Sequence, residues 1–327
     1  MKTVRASVLS FYLLMTIFSC RLNSIRPEAV KTTEEEMVTN GPWNLDTNRL
    51  AGISWPGGKA RCLVLSFDDG LSEDRLLVAL FNKYHLKGTF HLNSGRFGQK
   101  VFWLSGHDRV YVTSNEVASL YAGHEIACHT VNHPDLPKIP LKGLDYEVGK
   151  DRSNLENLAG YEVHGLAYPM GLFTKPMLPR LDALGIHYAR TVKNTGKFWL
   201  PSNLLTWNPT THFQAATNFI KRFFDAPPES APLFFIWGHS WEIGKTNDAV
   251  GWKRMDDLCA SLSGHDDTWY ASCIEVSDYL KAANALSNLP SGLVTNPSHS
   301  VSVWRYSGSN LIVIAPGETA FLPGGVK

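Results

Sequence analysis

With 327 residues, 44% of them hydrophobic and 19% charged, the chain has enough apolar material for a large core, which excludes an intrinsically disordered protein. Thirty-one lysines and arginines against thirty acids leave a formal net charge of +1. That field is too weak to argue for nucleic acid or an anionic membrane surface as the main partner.

At the N-terminus, Lys2 and Arg5 precede the uncharged run "ASVLSFYLLMTIFSC", which Arg21 ends before it is long enough to span a bilayer comfortably. Residues 1–20 therefore read as an export signal. The end of that run, "TIFSC", resembles a bacterial lipobox: Ile17 and Ser19 precede Cys20, whose thiol would carry the lipid, although Phe18 is bulky for its position. The expectation is an exported protein, either anchored in the cell envelope through Cys20 or periplasmic or secreted. Residues 21–58 form a polar tether and N-terminal extension. Of the remaining cysteines, Cys62 and Cys128 lie in apolar runs that favour buried thiols, and Cys259 with Cys273 is the pair favoured for a disulfide.

From about Arg61 short apolar runs alternate with helical patterns. "CLVLSF" leads into "SEDRLLVALFNKYHL", "GTFHLN" into the capped segment "TSNEVASLYAG", and "HEIACHT" into "DYEVGKDRSNLENLAG". "VHGLAYPMG", "KPMLPRLDALG" and "IHYARTV" follow, then a loop-rich stretch through "LPSNLLTWNPTTH". The last units are "PLFFIWGHSW", a helix near "WKRMDDLCASLSG", the strand "WYASCIEV" and the helix "VSDYLKAANALSNL". Repeated strand and helix predict a parallel sheet with crossover helices, and close to seven units favour a closed or nearly closed barrel.

In such a barrel, chemistry gathers at the carboxyl ends of the strands. Asp68 and Asp69 end the first strand, His91 and Asn93 lie near the end of the second, and His129 and His133 follow the third. Tyr168 and Pro169 follow the next, and His239 ends "PLFFIWGH". Two histidines four apart in "HTVNH", joined by a carboxylate, make a donor set for a divalent transition ion, zinc first and cobalt or nickel as substitutes. Such an ion would let two adjacent aspartates both stay ionised, one binding it and the other free to act as a base.

These residues resemble the NodB-type polysaccharide deacetylases, carbohydrate esterase family 4. "LSFDDG" is similar to that family's "TFDDG" signature and "HTVNH" to its "HS/TxxH" signature, with "AYPMG" and "IWGHSWE" following in the family's order over roughly residues 60 to 286. The resemblance implies an α/β fold, a distorted (β/α)7 barrel. It also implies a metal-dependent hydrolase that removes N- or O-acetyl groups from an acetylated polysaccharide or glycan. Asp69, His129 and His133 would be the metal ligands and Asp68 the general base toward the metal-bound water. His239 would be the general acid, and a backbone N–H near Tyr168 and Pro169 would hold the oxyanion. Trp237 stands where the family's last motif usually has leucine. With Trp241 and Trp207, it is a candidate wall for a sugar-binding cleft.

This chain departs from the pattern at Ala167, where the family's third motif carries an arginine, and at Met170, where it carries an aromatic. Arg190, or His91 with Asn93, is expected to supply the lost polar contact. No match to the fourth motif is found, so the group that tunes His239 is open, with Glu242 as the candidate. A small-molecule amidohydrolase on the same barrel and a non-catalytic glycan-binding relative remain as alternatives; retention of Asp68 and His239 weighs against the second. The expected organisation is the signal over 1–20, the tether and extension over 21–58, the deacetylase-like barrel over 59–288 and a C-terminal β appendage over 289–327.

Overall fold

Nine consecutive residues, Arg61–Asp69, are all buried. A strand without a polar face needs cover on both sides, and a parallel sheet under crossover helices supplies it. The structure, a computed structural model, describes residues 41–102, 109–244, 248–323 and 325–326. The predicted signal and the lipid site at Cys20 lie outside them.

After a two-residue strand β1 (Ile53–Ser54), the barrel strands are β2 (Arg61–Asp69), β3 (Gly88–Leu92), β4 (Glu125–Cys128), β5 (Gly165–Ala167), β6 (Tyr188–Arg190), β7 (Thr211–His212), β8 (Leu233–His239) and β9 (Thr268–Ala271). Their order is β6-β5-β4-β3-β2-β8-β7, with β9 paired to the first half of β2, and every pairing is parallel. The segment Trp207–His212 bonds β6 through Thr191 N–H to the Trp207 carbonyl and pairs with β8 through β7, which closes the ring. Seven of these eight strands are longer than two residues, in line with the distorted seven-unit barrel.

Local chemistry sets the helix boundaries. The capping box in "TSNE" forms at Thr113, whose backbone N–H donates to Glu116 Oε1 at 2.6 Å. "WYASCIEV" is not one strand: β9 stops at Ala271, because Ser272 and Glu275 form a second capping box that starts the helix Cys273–Ala285. All four described cysteines are free and buried, so the favoured Cys259–Cys273 disulfide is not formed. Cys259 lies on the preceding helix, whereas the Cys273 N–H donates to Thr89 Oγ1 in the barrel.

Strands Ser287–Asn288 (β10), Leu293–Thr295 (β11), Val303–Ser307 (β12), Asn310–Ile314 (β13) and Thr319–Phe321 (β14) make two small antiparallel sheets. One of them includes β1, so the extension before the barrel pairs with the chain that follows it. Trp43, Leu45, Leu50, Ile53 and Trp55 are buried, so residues 41–58 are part of the packed core.

Candidate active site

Register brings the strand ends together. Asp68 pairs with His91 of β3 on one side and His239 of β8 on the other, and Ala167 pairs with Arg190. Four non-glycine residues around this end, Asp69, Thr130, His133 and Met170, adopt positive φ of 80°, 72°, 55° and 56°. Such conformations persist where the surrounding structure holds them, and functional sites collect them. Here they turn the chain sharply just beyond β2, β4 and β5. Gly171 continues the last of these turns at φ 71°, where a Cβ would fall 2.4 Å from Val192 Cγ2.

Asp69, His129 and His133 converge. Asp69 Oδ1 is 3.5 Å from His129 Nε2 and 3.8 Å from His133 Nε2, and the three donor atoms lie within 4.8 Å of one another. His129 Nδ1 donates to the Ala167 carbonyl at 2.8 Å, which leaves a lone pair on Nε2. Burial pushes the His129 imidazole down to about 4, so it is neutral at physiological pH. A bare nitrogen lone pair thus faces a carboxylate oxygen, an arrangement that a divalent cation reconciles, and the donor set fits one. The supports are also present. Trp241 Nε1 donates to Asp69 Oδ2 at 2.8 Å, and Asn93 Nδ2 donates to the carbonyls of His129 and Thr130. Buried Asp151 accepts from the His129 backbone N–H at 3.1 Å.

Asp68 answers to a different partner. Its Oδ2 accepts from Arg190 Nη2, both side chains being buried. Arg190 is fixed in turn by Nε donating to Ser66 Oγ at 3.1 Å and Nη1 to the Thr191 carbonyl at 3.0 Å. Ser66 Oγ also meets His91 Nε2 at 3.0 Å. His91 Nδ1 donates to the Cys128 carbonyl, so Nε2 accepts from the serine. Burial alone would raise the Asp68 pKa, but the Arg190 guanidinium holds it well below the usual carboxylate range. The cation missing at Ala167 therefore comes from the register partner of Ala167 on the next strand. His91 supports it through Ser66, while Asn93 serves the histidine loop. Asp68 Oδ1 is buried without a hydrogen-bond partner, beside the cavity.

His239 faces Asp68 from across the site, with Nε2 3.9 Å from Asp68 Oδ2. Its Nδ1 donates to Glu242 Oε2 at 2.9 Å, and the same oxygen accepts from His212 Nε2 at 2.8 Å. His212 Nδ1 accepts from the Gln214 N–H at 3.5 Å, which puts its proton on Nε2 and makes this second cluster a hydrogen-bonded triad. Burial lowers the His239 pKa, yet the Glu242 hydrogen bond and the two aspartates outweigh it and raise the imidazole to about 9. Glu242 thus occupies the tuning position. His212 had no partner legible in sequence, because its carboxylate lies thirty residues further on.

A cavity of about 540 Å³ opens over these groups, lined also by Arg96, Tyr111, Met170, Val192, Trp237 and Trp241. Trp237 lies over the Arg190 guanidinium at 4.8 Å, with Nε1 donating to Asn194 Oδ1 at 2.7 Å. Trp207 does not line it. At 1% exposure Trp207 is a core residue packed on Tyr188 and Phe235, because its strand segment closes the barrel. Tyr168 and Pro169 are buried too: the tyrosine hydroxyl donates to the Leu205 carbonyl and its N–H to the Arg190 carbonyl. Proline has no N–H, so within this turn the oxyanion expectation passes to the N–H of Met170.

A family model described as polysaccharide deacetylase matches residues 56–189. No curated protein matches the chain. A Mycobacterium smegmatis structure provisionally described as a polysaccharide deacetylase superposes with a TM-score of 0.51 at 16% identity, over 73% of this chain and 98% of that one. The polysaccharide deacetylase BC0361 of Bacillus cereus gives 0.36 at 20% identity, over 44% of this chain and 45% of its own. A family 4 carbohydrate esterase of Streptomyces lividans in complex with acetate gives 0.41 at 14%, over 62% and 88%. The chain thus spans less than half of the Bacillus cereus protein, and the first superposition is a likeness of fold.

Proposed function

Because this chain belongs through its barrel to the NodB-type polysaccharide deacetylase family, we propose that it is a metal-dependent hydrolase of acetyl groups on an exported or envelope glycan. The observation that carries the reading is a pair of charge-complementary hydrogen bonds, Arg190 to Asp68 and His239 to Glu242, across one cavity. Asp68 is held ionised by Arg190 and His239 is held protonated by Glu242, with a two-histidine, one-aspartate donor set beside them.

When bound by Asp69, His129 and His133, a divalent cation, zinc before cobalt or nickel, supplies a fixed positive charge that lowers the pKa of water and polarises a carbonyl. Asp68 takes the proton of the water whose oxygen attacks the acetyl carbon, and Arg190 keeps the carboxylate in place for it. The Met170 N–H donates to the oxygen that gains charge in the tetrahedral intermediate. His239 gives its Nε2 proton to the leaving nitrogen or oxygen as the bond to the acetyl carbon breaks, which frees acetate and an amine or hydroxyl. Trp241 orients Asp69 through its Nε1 and, with Trp237, lines the cavity in which the sugar would sit. Cys20, as a lipid attachment site, would place this chemistry at the membrane surface.

Acetate release from a panel of N- and O-acetylated glycans tests the proposal. Release that a chelator abolishes and added zinc restores is expected; no release from any acetylated sugar contradicts it. The tuning role has its own outcome. Glu242→Gln removes the hydrogen-bonded charge that raises His239, so the alkaline limb of kcat/KM moves to lower pH. An unmoved limb assigns it to another group.

A further inference from the structure

Val192 stands in the wall of the catalytic cavity and also borders a neighbouring one. That second cavity, of about 530 Å³, runs past Gly171, lined by Lys175, Lys193, Asn203, Thr206 and Asn208 among others, with no acidic side chain in its wall. Lys175 and Lys193 are exposed, and neither has a carboxylate partner among the described residues. On the loop after β3 a further cation, Arg96, lines the catalytic cavity itself. Its Nη2 donates to the Asn132 carbonyl at 2.8 Å, inside the histidine loop, while its Nε is without a partner. Arg61, Arg75, Arg109, Arg152, Arg180 and Arg190 each hold a carboxylate instead. The wall of the catalytic cavity carries two carboxylates: Asp68 is paired with Arg190, and Asp69 belongs to the donor set that a divalent ion would occupy. The remaining charges along both cavities are positive.

We infer that the glycan is acidic, and that its carboxylate or sulfate groups lie on Lys175 and Lys193 in the second cavity while Arg96 meets the chain at the first. Lysine and arginine recognise these anions through charge-assisted hydrogen bonds, and neutral sugars do not need them. The inference deepens the deacetylase reading and rests on it, so its test separates the two. Binding is measured calorimetrically for a non-acetylated oligouronide, a sulfated neutral oligosaccharide and an unmodified neutral oligosaccharide of equal length. At low salt the better anionic ligand binds about tenfold tighter than the neutral one, from two partly exposed ion pairs. That preference is lost in Lys175→Gln/Lys193→Gln and in high salt, where such pairs are screened. Whichever anion binds tighter identifies the substituent. Equal affinity for all three, or a preference that survives the double substitution, overturns the inference. Absence of acetate release from acetylated forms alongside a preserved anionic preference would instead overturn the deacetylase reading alone.

Discussion

Asp68→Asn lowers kcat for acetate release by about 10²–10⁴-fold, the usual weight of a general base, while zinc affinity stays near that of the parent protein. The separation follows from the geometry. Asp69 Oδ1, His129 and His133 form the donor set without Asp68, whose Oδ2 is taken by Arg190 and whose Oδ1 is left beside the cavity. An asparagine keeps the volume but can no longer accept a proton from water. Zinc titration and steady-state kinetics on the same preparation check it. Retained turnover moves the base elsewhere, and equal loss of zinc and turnover makes Asp68 a ligand.

The second large effect concerns Arg190. Arg190→Gln leaves a fully buried carboxylate without its cation, and breaking such a pair costs about 3–5 kcal/mol. The pH dependence fixes the sign. In the parent protein the Asp68 pKa is depressed, so its contribution to stability is present above the unfolded value of about 4 and is lost as pH falls through the folded value. In the variant, burial without the guanidinium raises the folded value, so the deficit is greatest at neutral pH and shrinks as both states protonate near pH 4. Denaturant unfolding across that range measures it. A second substitution distinguishes position from mere charge. Ala167 is the register partner of Arg190 on β5, so Ala167→Arg in an Arg190→Ala background returns a guanidinium to the same level of the barrel and recovers part of both stability and turnover. No recovery would mean that the Ser66 and Thr191 contacts of Arg190, and not its charge alone, set the site.

These contacts explain what was legible in the sequence and what was not. The strands were readable because a nine-residue buried run and its successors have no competing periodicity, and the metal donors because "DDG" and "HTVNH" keep their ligands close in sequence. Arg190 could be suspected and not assigned, since its pairing with Asp68 spans 122 positions and depends on the register of β5 with β6. Ser66 did leave a signal: it is the lone polar residue in "CLVLSF" and sits two before Asp68, on the same face of the strand. His212 left none, and Trp207 misled because a tryptophan that closes a barrel and one that walls a cleft look alike in sequence. The β9 boundary was missed where a capping box at Ser272 lay inside an apolar run.

The most direct test of the whole account is the position of the metal. In zinc-loaded crystals, anomalous scattering at the zinc edge should give a peak about 2.0–2.2 Å from Asp69 Oδ1, His129 Nε2 and His133 Nε2, and His129→Gln should remove it. A peak at His212, Glu242 and His239, or undiminished zinc binding after His129→Gln, would contradict the site described.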